Sequence, residues 1–532
     1  MKKSLLGVSV ITIAALYGIL GILIVAVFAL LDLPMLIGIA IGAGIVLLQF
    51  LINPWLTDLN MKWFYKATFK REIPAYLTDF INEVCAEKKM KAPKIGFIDD
   101  GAPNAFTYGH TKNDARIVLT RGIFEMLDEE EVKAVVAHEL GHACHYDMLL
   151  MTVVQLVPFV LHAIYEALSD SDSDNGAVGA VSMIALVLYV ISEYIILGLS
   201  RTREYFADEF SAQTTKNPNA LSSALVKIGF GLSTRERDKK IKHPAGGDTT
   251  LGIADTKSSR AYAAATASMD GEASPEAIRR AMRWDMWNVW AKWFEFTSTH
   301  PLTAKRILAL GKLAPAFGQV PYVEFDEKPD RSYVGMFVGE LIISALPVIL
   351  AITAVISGVI GYIAGSSLYI SIGFAGLALA CGLGLVKYHR RHPKGFTEKT
   401  VGELLGEAAV SHVTPIPCVL KGELIGRGDP GCIFCENFVI HDETGILLLN
   451  YNQPLKLLDK IFALFSAEGY IDKHVKVTGW YRRGPIPFMD MESFETEDGT
   501  VKKLRRHTTN KILLIVGTVL FALLAVGTFF LL

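Results

Sequence analysis

Long uninterrupted apolar runs dominate the hydropathy pattern of the chain. Seven of them are long enough to cross a hydrocarbon core of about 30 Å at about 1.5 Å per residue. They cover residues 5–31, 34–53, 148–168, 177–199, 335–363, 366–386 and 512–532. The first follows a basic Met1-Lys2-Lys3 start but is longer than the apolar run of a signal peptide, so we interpret it as a retained anchor. The pattern therefore predicts a polytopic membrane protein with about seven transmembrane helices.

Between the spans, three polar segments are predicted to be soluble, at 54–147, 200–333 and 388–510, and the third differs in its sequence pattern from the other two. Alternating residues with Gly, Asn and Asp punctuation predict short strands at 94–98 and 115–120. The acidic stretch 128–131 then predicts a helix that continues through Cys144 into the third span. Residues 388–510 contain several alternating or β-branched runs separated by turns, which favours a small β-rich, barrel-like domain.

These patterns predict the division of the chain. The predicted parts are two transmembrane helices at 1–53, a mainly helical domain at 54–333 that includes the spans near 148–168 and 177–199, two transmembrane helices at 334–387, the β-rich domain at 388–510 and a C-terminal transmembrane helix at 511–532. The fold class is thus mainly α, with a small β-sheet in the domain at 54–333.

The placement of basic residues predicts the orientation in the membrane. With a cytoplasmic N-terminus, the outer loops lie near Asp32, at 169–176 and at 361–367, and none contains Lys or Arg. All 52 basic residues then lie on the inner side or at its boundary. We therefore expect a multi-pass protein of the cell membrane with its soluble domains in the cytoplasm and its C-terminus on the opposite side.

Composition narrows the function classes. Apolar residues make up 51% of the 532 residues and charged residues only 20%, below the 25% or so of soluble domains. A net charge of −2 gives no basic footprint for nucleic acid, so no nucleic-acid partner is expected. Six scattered cysteines argue against a disulfide framework and favour a reducing compartment for the soluble parts. Lipid is the partner that the composition indicates, and the oligomeric state is left open.

His138-Glu139-Leu140-Gly141-His142 is an H-E-x-x-H sequence within the predicted helix that precedes the third span. Positions i and i+4 share one face of a helix, so both imidazoles can bind one metal ion. Glu139 lies on an adjoining face, where its carboxylate can take a proton from a water molecule that the ion activates. The motif predicts a catalytic zinc site with Glu139 as general base.

Two residues compete for the place of a third ligand, which a catalytic zinc site requires. His145 shares the helical face, but it lies seven positions from His138, about 10.5 Å along the axis, too far for three ligands on one helix. Glu204 follows the fourth span on the same side of the membrane, and we predict that it begins a helix there. Glu204 is the better candidate, with Asp208 one turn further on to fix the tautomer of a ligand imidazole.

Four segments resemble the HtpX-type membrane metallopeptidases, relatives of the CAAX prenyl endopeptidases. They are PNAFTYG at 103–109, IVLTRGIFEMLDEEEVKAVVAHELGHACHYD at 117–147, SRTREYFAD at 200–208 and HPLTAKRI at 300–307. The resemblance covers residues 54–310 and implies a zincin-like cytoplasmic metallopeptidase domain in which His138, His142 and Glu204 bind Zn²⁺.

The resemblance also implies a substrate-binding strand and a second element beside the metal. The strand at Asn104, Ala105 and Phe106 would bind an extended peptide, and His300 would stabilise the oxyanion, with Arg306 nearby on the substrate side. For His300 and Arg306 the alternative interpretation is a helix N-terminus with an ordinary salt bridge. The chain departs from a typical HtpX protein, which has four spans and lacks the β-rich domain.

The resulting hypothesis is a zinc-dependent endopeptidase that cleaves membrane proteins or peptides at the cytoplasmic face, as in protein quality control. That substrate class rests on the resemblance alone. The alternatives are a CAAX-type processing endopeptidase and a non-catalytic membrane scaffold with a structural metal site. The sequence identifies neither the physiological substrate nor the cleavage preference, nor the role of residues 388–510.

Two further features of the β-rich domain bear on ligands. Cys418, Cys432 and Cys435 invite a second metal site, but they offer only three ligands without a clear fourth, so free thiols are the favoured interpretation. The basic runs Arg482-Arg483 and 502–506 are predicted to contact anionic lipid headgroups.

Overall fold

The computed structural model describes residues 5–31, 44, 48, 51–52, 55–69, 73–170, 176–234, 274–428 and 435–530. Six helices in these ranges are long and apolar enough to cross a membrane. They are α1 (Leu5–Leu31), α6 (Asp147–Ser169), α7 (Gly176–Thr215), α12 (Val334–Ile363), α13 (Ser367–Arg391) and α16 (Arg506–Phe529). The other predicted span, 34–53, and Cys432 lie largely or wholly outside the described residues.

The chain divides into two compact units. The first contains Met1–Ser259 and Trp293–Phe325, and the second contains Arg260–Lys292 and Asp326–Leu532. The long second part of unit 2 thus begins at Asp326, and residues 274–292 belong to that unit.

Helices α1, α6 and α7 form the described membrane part of the first unit. Their buried contact side chains include Leu16, Val157, Leu161 and Ala185. The hydroxyl of Tyr17 on α1 donates a hydrogen bond to the Val153 carbonyl of α6, 3.0 Å away. In the most apolar window of each span, 28% of the residues of α1 and of α6 and 22% of those of α7 are buried within the protein. Most of these apolar surfaces therefore face outward, as lipid contact requires.

The soluble part of the first unit is a three-stranded sheet covered by helices. The strands β1 (Lys94–Ile98), β2 (Ala105–Gly109) and β3 (Ala115–Thr120) are ordered β1-β3-β2, with β3 central and entirely buried. Its helices are a short one over residues 55–63 (α2), α3 (Ala75–Glu87), α4 (Arg121–Met126), α5 (Glu129–Cys144), α8 (Pro218–Thr234) and α11 (Thr303–Leu313). Both strands predicted from alternation have the expected bounds.

Helix α5 begins at a capping box. The Asp128 side chain accepts from the Glu131 backbone N–H, and the Glu131 carboxylate accepts from the Asp128 N–H. Three acidic residues in the first turn also favour a helix start at this point. One face of α5 then packs against the sheet and the other against α7 and α8, so that most of the helix is buried.

Two predictions about helix continuity were wrong. The helix of the H-E-x-x-H motif does not continue into the third span, because Tyr146 adopts a left-handed conformation (φ 58°, ψ 29°) that ends α5 and redirects the chain into α6. Glu204 does not begin a new helix, because α7 runs without a break from Gly176 to Thr215. No proline interrupts that stretch, so the change from apolar to charged residues alone does not end the helix.

The second unit combines α12, α13 and α16 with the predicted β-rich domain. Seven strands form one curved sheet: β4 (Thr397–Glu398), β5 (Ile416–Arg427), β6 (Phe438–Asp442), β7 (Gly445–Asn450), β8 (His474–Arg483), β9 (Pro487–Thr496) and β10 (Val501–Lys503). The strand β8 pairs with both β5 and β9, while β9 also pairs with β7, which closes the sheet into a barrel-like form. Two short helices, α14 (Val401–Leu405) and α15 (Lys456–Phe465), accompany it.

The helices α9 (Pro275–Trp287) and α10 (Val289–Phe296) connect the two units along the chain, and α9 packs against the barrel. Trp284 donates its indole N–H to the Val410 carbonyl at 2.7 Å, and Asn288 donates to the Ala408 carbonyl at 2.8 Å. The fold class predicted from the sequence is thereby confirmed: mainly helical and multi-pass, with a small sheet and a C-terminal barrel-like sheet.

Arg482 and Arg483 do not contact lipid headgroups, contrary to the prediction. Both side chains are fully buried. Arg482 donates to Asp490 and to the carbonyls of His412 and Arg391. A buried guanidinium requires acceptors for its five N–H groups. These hydrogen bonds supply such acceptors and so stabilise the interior of the second unit.

Candidate metal centre and active site

The two histidines of the H-E-x-x-H motif face each other on α5. The Nε2 atoms of His138 and His142 are 3.1 Å apart, and His138 is fully buried. This spacing follows from the helix, because positions four apart lie one above the other. Two imidazole nitrogens at this distance repel each other unless a proton or a cation lies between them.

Glu204 reaches the same point from α7. Its carboxylate oxygens are 3.5 Å from His142 Nε2 and 3.6 Å from His138 Nε2, and the three candidate ligand atoms lie within 4.8 Å of one another. The approach depends on Gly141, because a Cβ there would lie 3.1 Å from Phe210 Cβ and 3.2 Å from Ala207 Cα of α7. The glycine inside the motif thus permits the close packing of the two helices.

The donor set fits a divalent metal ion. Glu204 is 4% exposed, and its Oε2 atom accepts no hydrogen bond from the residues that the structure describes. A buried carboxylate oxygen without a donor is costly, and a cation removes that cost. Two imidazoles and one carboxylate are the ligand set of catalytic zinc sites. His138, His142 and Glu204 can therefore hold a metal.

Two carboxylates hold the outer nitrogens of the imidazoles. Asp147 Oδ2 lies 2.7 Å from His142 Nδ1, and Asp208 Oδ1 lies 3.0 Å from His138 Nδ1. Each contact favours the tautomer whose Nε2 lone pair faces the candidate metal position. Asp208 was predicted from the sequence, but Asp147 was not. The signal for Asp147 was a carboxylate at the first position of a membrane helix, where a charge needs a partner.

The charges around these histidines raise their affinity for a cation. Burial by itself lowers the pKa of the His142 imidazole, but the hydrogen bond to Asp147 and the charge of Glu204 outweigh it, so the net pKa lies above the ordinary value. An imidazole with that environment attracts positive charge, whether it is a proton or a metal ion.

Glu139 lies beside the candidate metal position and next to strand β2. It is 2% exposed, and its carboxylate Oε2 accepts a hydrogen bond from the Thr107 hydroxyl at 2.7 Å. Thr107 was not predicted from the sequence, where its only signal is its alternation with Phe106 and Tyr108 along the strand. This bond connects the general-base candidate to the strand that was predicted to bind substrate.

Strand β2 is an edge strand among the described strands, since it pairs only with β3. The side chains of Ala105 and Phe106 are buried, and Phe106 packs in a cluster with Tyr108. Asn104 accepts the Ala105 N–H on its own side-chain oxygen. Any contact of this strand with a peptide would therefore use main-chain groups, as strand addition does.

His300 and Arg306 both lie near Glu204. His300 Nε2 is 3.8 Å from Glu204 Oε2, and Arg306 Nη1 is 3.6 Å from the same oxygen. Arg306 also binds Asp208 through two parallel hydrogen bonds, of 2.9 Å from Nε and 2.6 Å from Nη2. Burial lowers the pKa of this guanidinium, but Asp208 and Glu204 raise it by more, so it stays charged. Arg306 is fully buried and therefore positions Asp208 and Glu204 from behind.

His145 does not share the metal position. Its ring packs against Phe206 and Phe210 of α7, with centroids 6.3 and 5.8 Å away. Burial lowers its pKa, so the ring is neutral near pH 7. Of the two residues that competed for the third ligand, the structure brings only Glu204 to the two histidines.

Replacing Arg306 by Leu is expected to destabilise the first unit by about 3–5 kcal/mol, because Asp208 would remain buried without its partner. The free energy of unfolding from denaturant titration in detergent measures the effect. The matched control is Arg121→Leu, since Arg121 also pairs with two carboxylates, Asp99 and Glu125, but is 40% exposed. The control should cost only about 0–1 kcal/mol. Equal losses for both variants would contradict the role given to Arg306.

The chain is similar in sequence to a known protein family and to several of its members. Residues 73–314 match the model of Peptidase family M48. The Protease HtpX homolog of Methanothermobacter thermautotrophicus is 36% identical over 220 residues, 41% of this chain and 83% of the relative. The Protease HtpX homolog of Pyrococcus abyssi is 29% identical over 37% of this chain and 72% of the relative. The crystal structure of S. mikatae Ste24p is 17% identical, with a TM-score of 0.33 over 56% of this chain and 63% of that chain. On the strength of the first of these relatives, the chain belongs to the HtpX-type membrane metalloproteases of peptidase family M48.

Proposed function

We propose that the chain is a zinc-dependent endopeptidase in which His138, His142 and Glu204 hold the metal and Glu139 is the general base. The observation that carries the proposal is a buried His-His-Glu group with a second carboxylate, Glu139, placed between it and an edge strand. A structural metal site has no use for such a carboxylate, which argues against the scaffold alternative.

The chain's own residues divide the work of peptide hydrolysis. A peptide would pair its main chain with strand β2, which places a scissile carbonyl beside Glu139. Glu139 takes a proton from the attacking water and delivers it to the leaving amine. When bound, zinc supplies Lewis acidity, which activates water and polarises the carbonyl. His300 donates toward the oxyanion from its position near Glu204. Asp147 and Asp208 keep the two ligand imidazoles in the required tautomer.

The proposed substrates are membrane proteins or peptides that reach the cytoplasmic face. The proposal of a site at the membrane surface is supported by its position at the start of α6 and a few residues beyond the predicted inner end of the fourth span. The last turn of α13 carries His389, Arg390 and Arg391, as expected of a cytoplasmic flank. A role in quality control of damaged membrane proteins is the broader version of the proposal, and processing of lipidated C-termini the narrower one.

The proposed orientation can be tested by cysteine labelling in intact cells. A membrane-impermeant maleimide should label Ala364→Cys, which lies in the loop between α12 and α13, but not Lys394→Cys, which follows α13. Both positions are exposed, so accessibility within the protein is the same. Labelling of Lys394→Cys alone would place the soluble domains on the outer side and contradict the proposal.

Removal of the metal is expected to abolish proteolysis reversibly. The purified full-length protein in detergent should cleave casein, lose that activity in 1,10-phenanthroline, and regain it with Zn²⁺ but not with Ca²⁺, because imidazole ligands favour zinc. Cleavage is measured by the appearance of casein fragments. Undiminished cleavage by metal-free protein would refute a metallopeptidase, while bound zinc without any cleavage would favour the scaffold.

A further inference from the structure

A cavity of about 490 Å³ lies within the second unit, where two membrane helices meet the barrel. Lys387 and Arg391 line it from the end of α13, and Arg506 lines it from the first residue of α16. The barrel contributes Asn450 and Trp480. Because α13 ends and α16 begins at this point, the cavity lies at the boundary between the membrane and the soluble domain.

The three cations of this cavity have no carboxylate partner among the described residues. Lys387 donates to the Ser344 carbonyl at 3.3 Å, and Arg506 donates to the Asn452 amide oxygen at 2.7 Å. The Nε atom of Arg391 is buried and finds no acceptor in the described part of the chain. Neutral acceptors leave these three side chains without a direct ion pair, although the charge of Asp459 also acts on Arg506. The cavity is therefore suited to an anion.

The single acidic residue lining the described cavity does not offset these charges. Asp490 accepts from Arg482, which is fully buried and carries a positive charge of its own. Burial, together with the charges of Arg482 and Arg391, lowers the pKa of His392 to about 4. His392 also lines the cavity, and the part of its pKa shift that comes from Arg482 and Arg391 is consistent with positive surroundings. The uncapped N-terminus of α16 adds its own partial positive charge.

An exposed apolar helix face next to this cavity indicates the depth of the cavity relative to the membrane. Five side chains of α15 are between 44% and 82% exposed: Leu457, Leu458, Ile461, Leu464 and Phe465. Asn452, four residues before α15, contacts Arg506 at the start of α16, which brings α15 close to the point where the chain enters the membrane. A short amphipathic helix at that place lies in the interface with its apolar face toward the acyl chains. Lipid headgroups are at the same level.

We propose that this cavity binds the anionic phosphate headgroup of a phospholipid, with Lys387, Arg391 and Arg506 as its phosphate-binding groups. Guanidinium and ammonium donors are the usual partners of a phosphate, and basic pockets between membrane helices on the cytoplasmic side suit lipid headgroups. The interfacial position of α15 favours a lipid over a free phosphate ion. A bound lipid would hold the barrel against α13 and α16.

Native mass spectrometry of the detergent-solubilised full-length protein tests this proposal. We expect the protein to retain dioleoyl phosphatidylglycerol in preference to dioleoyl phosphatidylcholine, and millimolar inorganic phosphate not to displace it. The Arg391→Gln/Arg506→Gln variant should bind the anionic lipid about 25-fold more weakly, at about fivefold for each basic residue removed. The single variant Lys387→Gln removes only one positive charge, so it should weaken lipid binding about fivefold.

The control is Lys421→Gln/Lys476→Gln, which removes two exposed charges from paired positions on β5 and β8. It should leave lipid retention unchanged. Equal losses in the control and the cavity variant would show non-specific attraction to the surface and overturn the proposal. Displacement by inorganic phosphate would also overturn it, in favour of a free anion. Equal retention of the two lipids by the wild-type protein would overturn it even if the double variant failed to fold.

Discussion

Glu139→Gln is expected to lower kcat for casein cleavage by about 10²–10⁴-fold, the usual contribution of general acid–base catalysis. Gln keeps the size of the side chain and can still bond to the Thr107 hydroxyl, which lies 2.7 Å from the Glu139 carboxylate. It cannot take a proton from water. Because Glu139 is not one of the three candidate ligands, the variant should keep its zinc and its thermal stability.

Glu130→Gln is the matched control for this prediction. Glu130 lies on the same helix, is exposed, and pairs only with Lys133 among the residues described. Its substitution should leave kcat within about twofold of the wild-type value, since surface pairs contribute little. Initial rates at saturating casein and zinc content per mole of protein are measured for all three proteins. Full activity in Glu139→Gln would exclude it as the general base.

Glu204→Ala is expected to weaken zinc binding by more than about 100-fold, because even the partners of ligands are worth about 10–100-fold. Proteolysis should be lost with the metal. His145→Ala should retain zinc, because the His145 ring packs between Phe206 and Phe210 and does not reach the two ligand histidines. This pair of variants separates the two residues that compete for the third ligand in the sequence.

Zinc content after dialysis against a weak chelator distinguishes the outcomes. The wild-type protein and His145→Ala should hold about one zinc per chain, and Glu204→Ala close to none. Loss of zinc in His145→Ala alone would assign the third ligand to the motif helix. Because Glu204 is buried beside Arg306, its removal also leaves a cation without one partner. Thermal unfolding of both variants in the presence of excess zinc therefore serves as the check on folding.

Local sequence patterns predicted the helices and strands well where the apolar residues followed one clear pattern, either alternation or a long continuous run. The strands at 94–98 and 115–120 and the six described membrane helices follow from alternation and from length. Helix ends were less predictable. The left-handed Tyr146 that ends α5 carries no proline or glycine signal, and the uninterrupted α7 crosses a sharp change in polarity. Both depend on how neighbouring helices pack, which lies outside any local window.

The residues of the candidate site are likewise divided between those that local sequence patterns predicted and those that depend on tertiary packing. His138, Glu139 and His142 are defined by helical periodicity within five residues, so the sequence alone places them together. Glu204 is 62 or more residues away and needed an argument from topology. Thr107 and Asp147 were missed because a hydroxyl on a strand and a carboxylate at a helix start have many ordinary roles. Arg482 and Arg483 were misread as lipid contacts because a basic pair looks the same whether it is exposed or buried.

The sequence by itself determined that this chain spans a membrane many times and carries two imidazoles and a carboxylate on one helix. Both properties are encoded in short stretches, through the length of apolar runs and the 3.6-residue period. Only the tertiary structure decided which distant groups join them: Glu204, Asp147, Asp208 and Thr107. Their positions depend on the close contact of α5 with α7 at Gly141 and on the turn at Tyr146, because packing brings together side chains that no local periodicity relates.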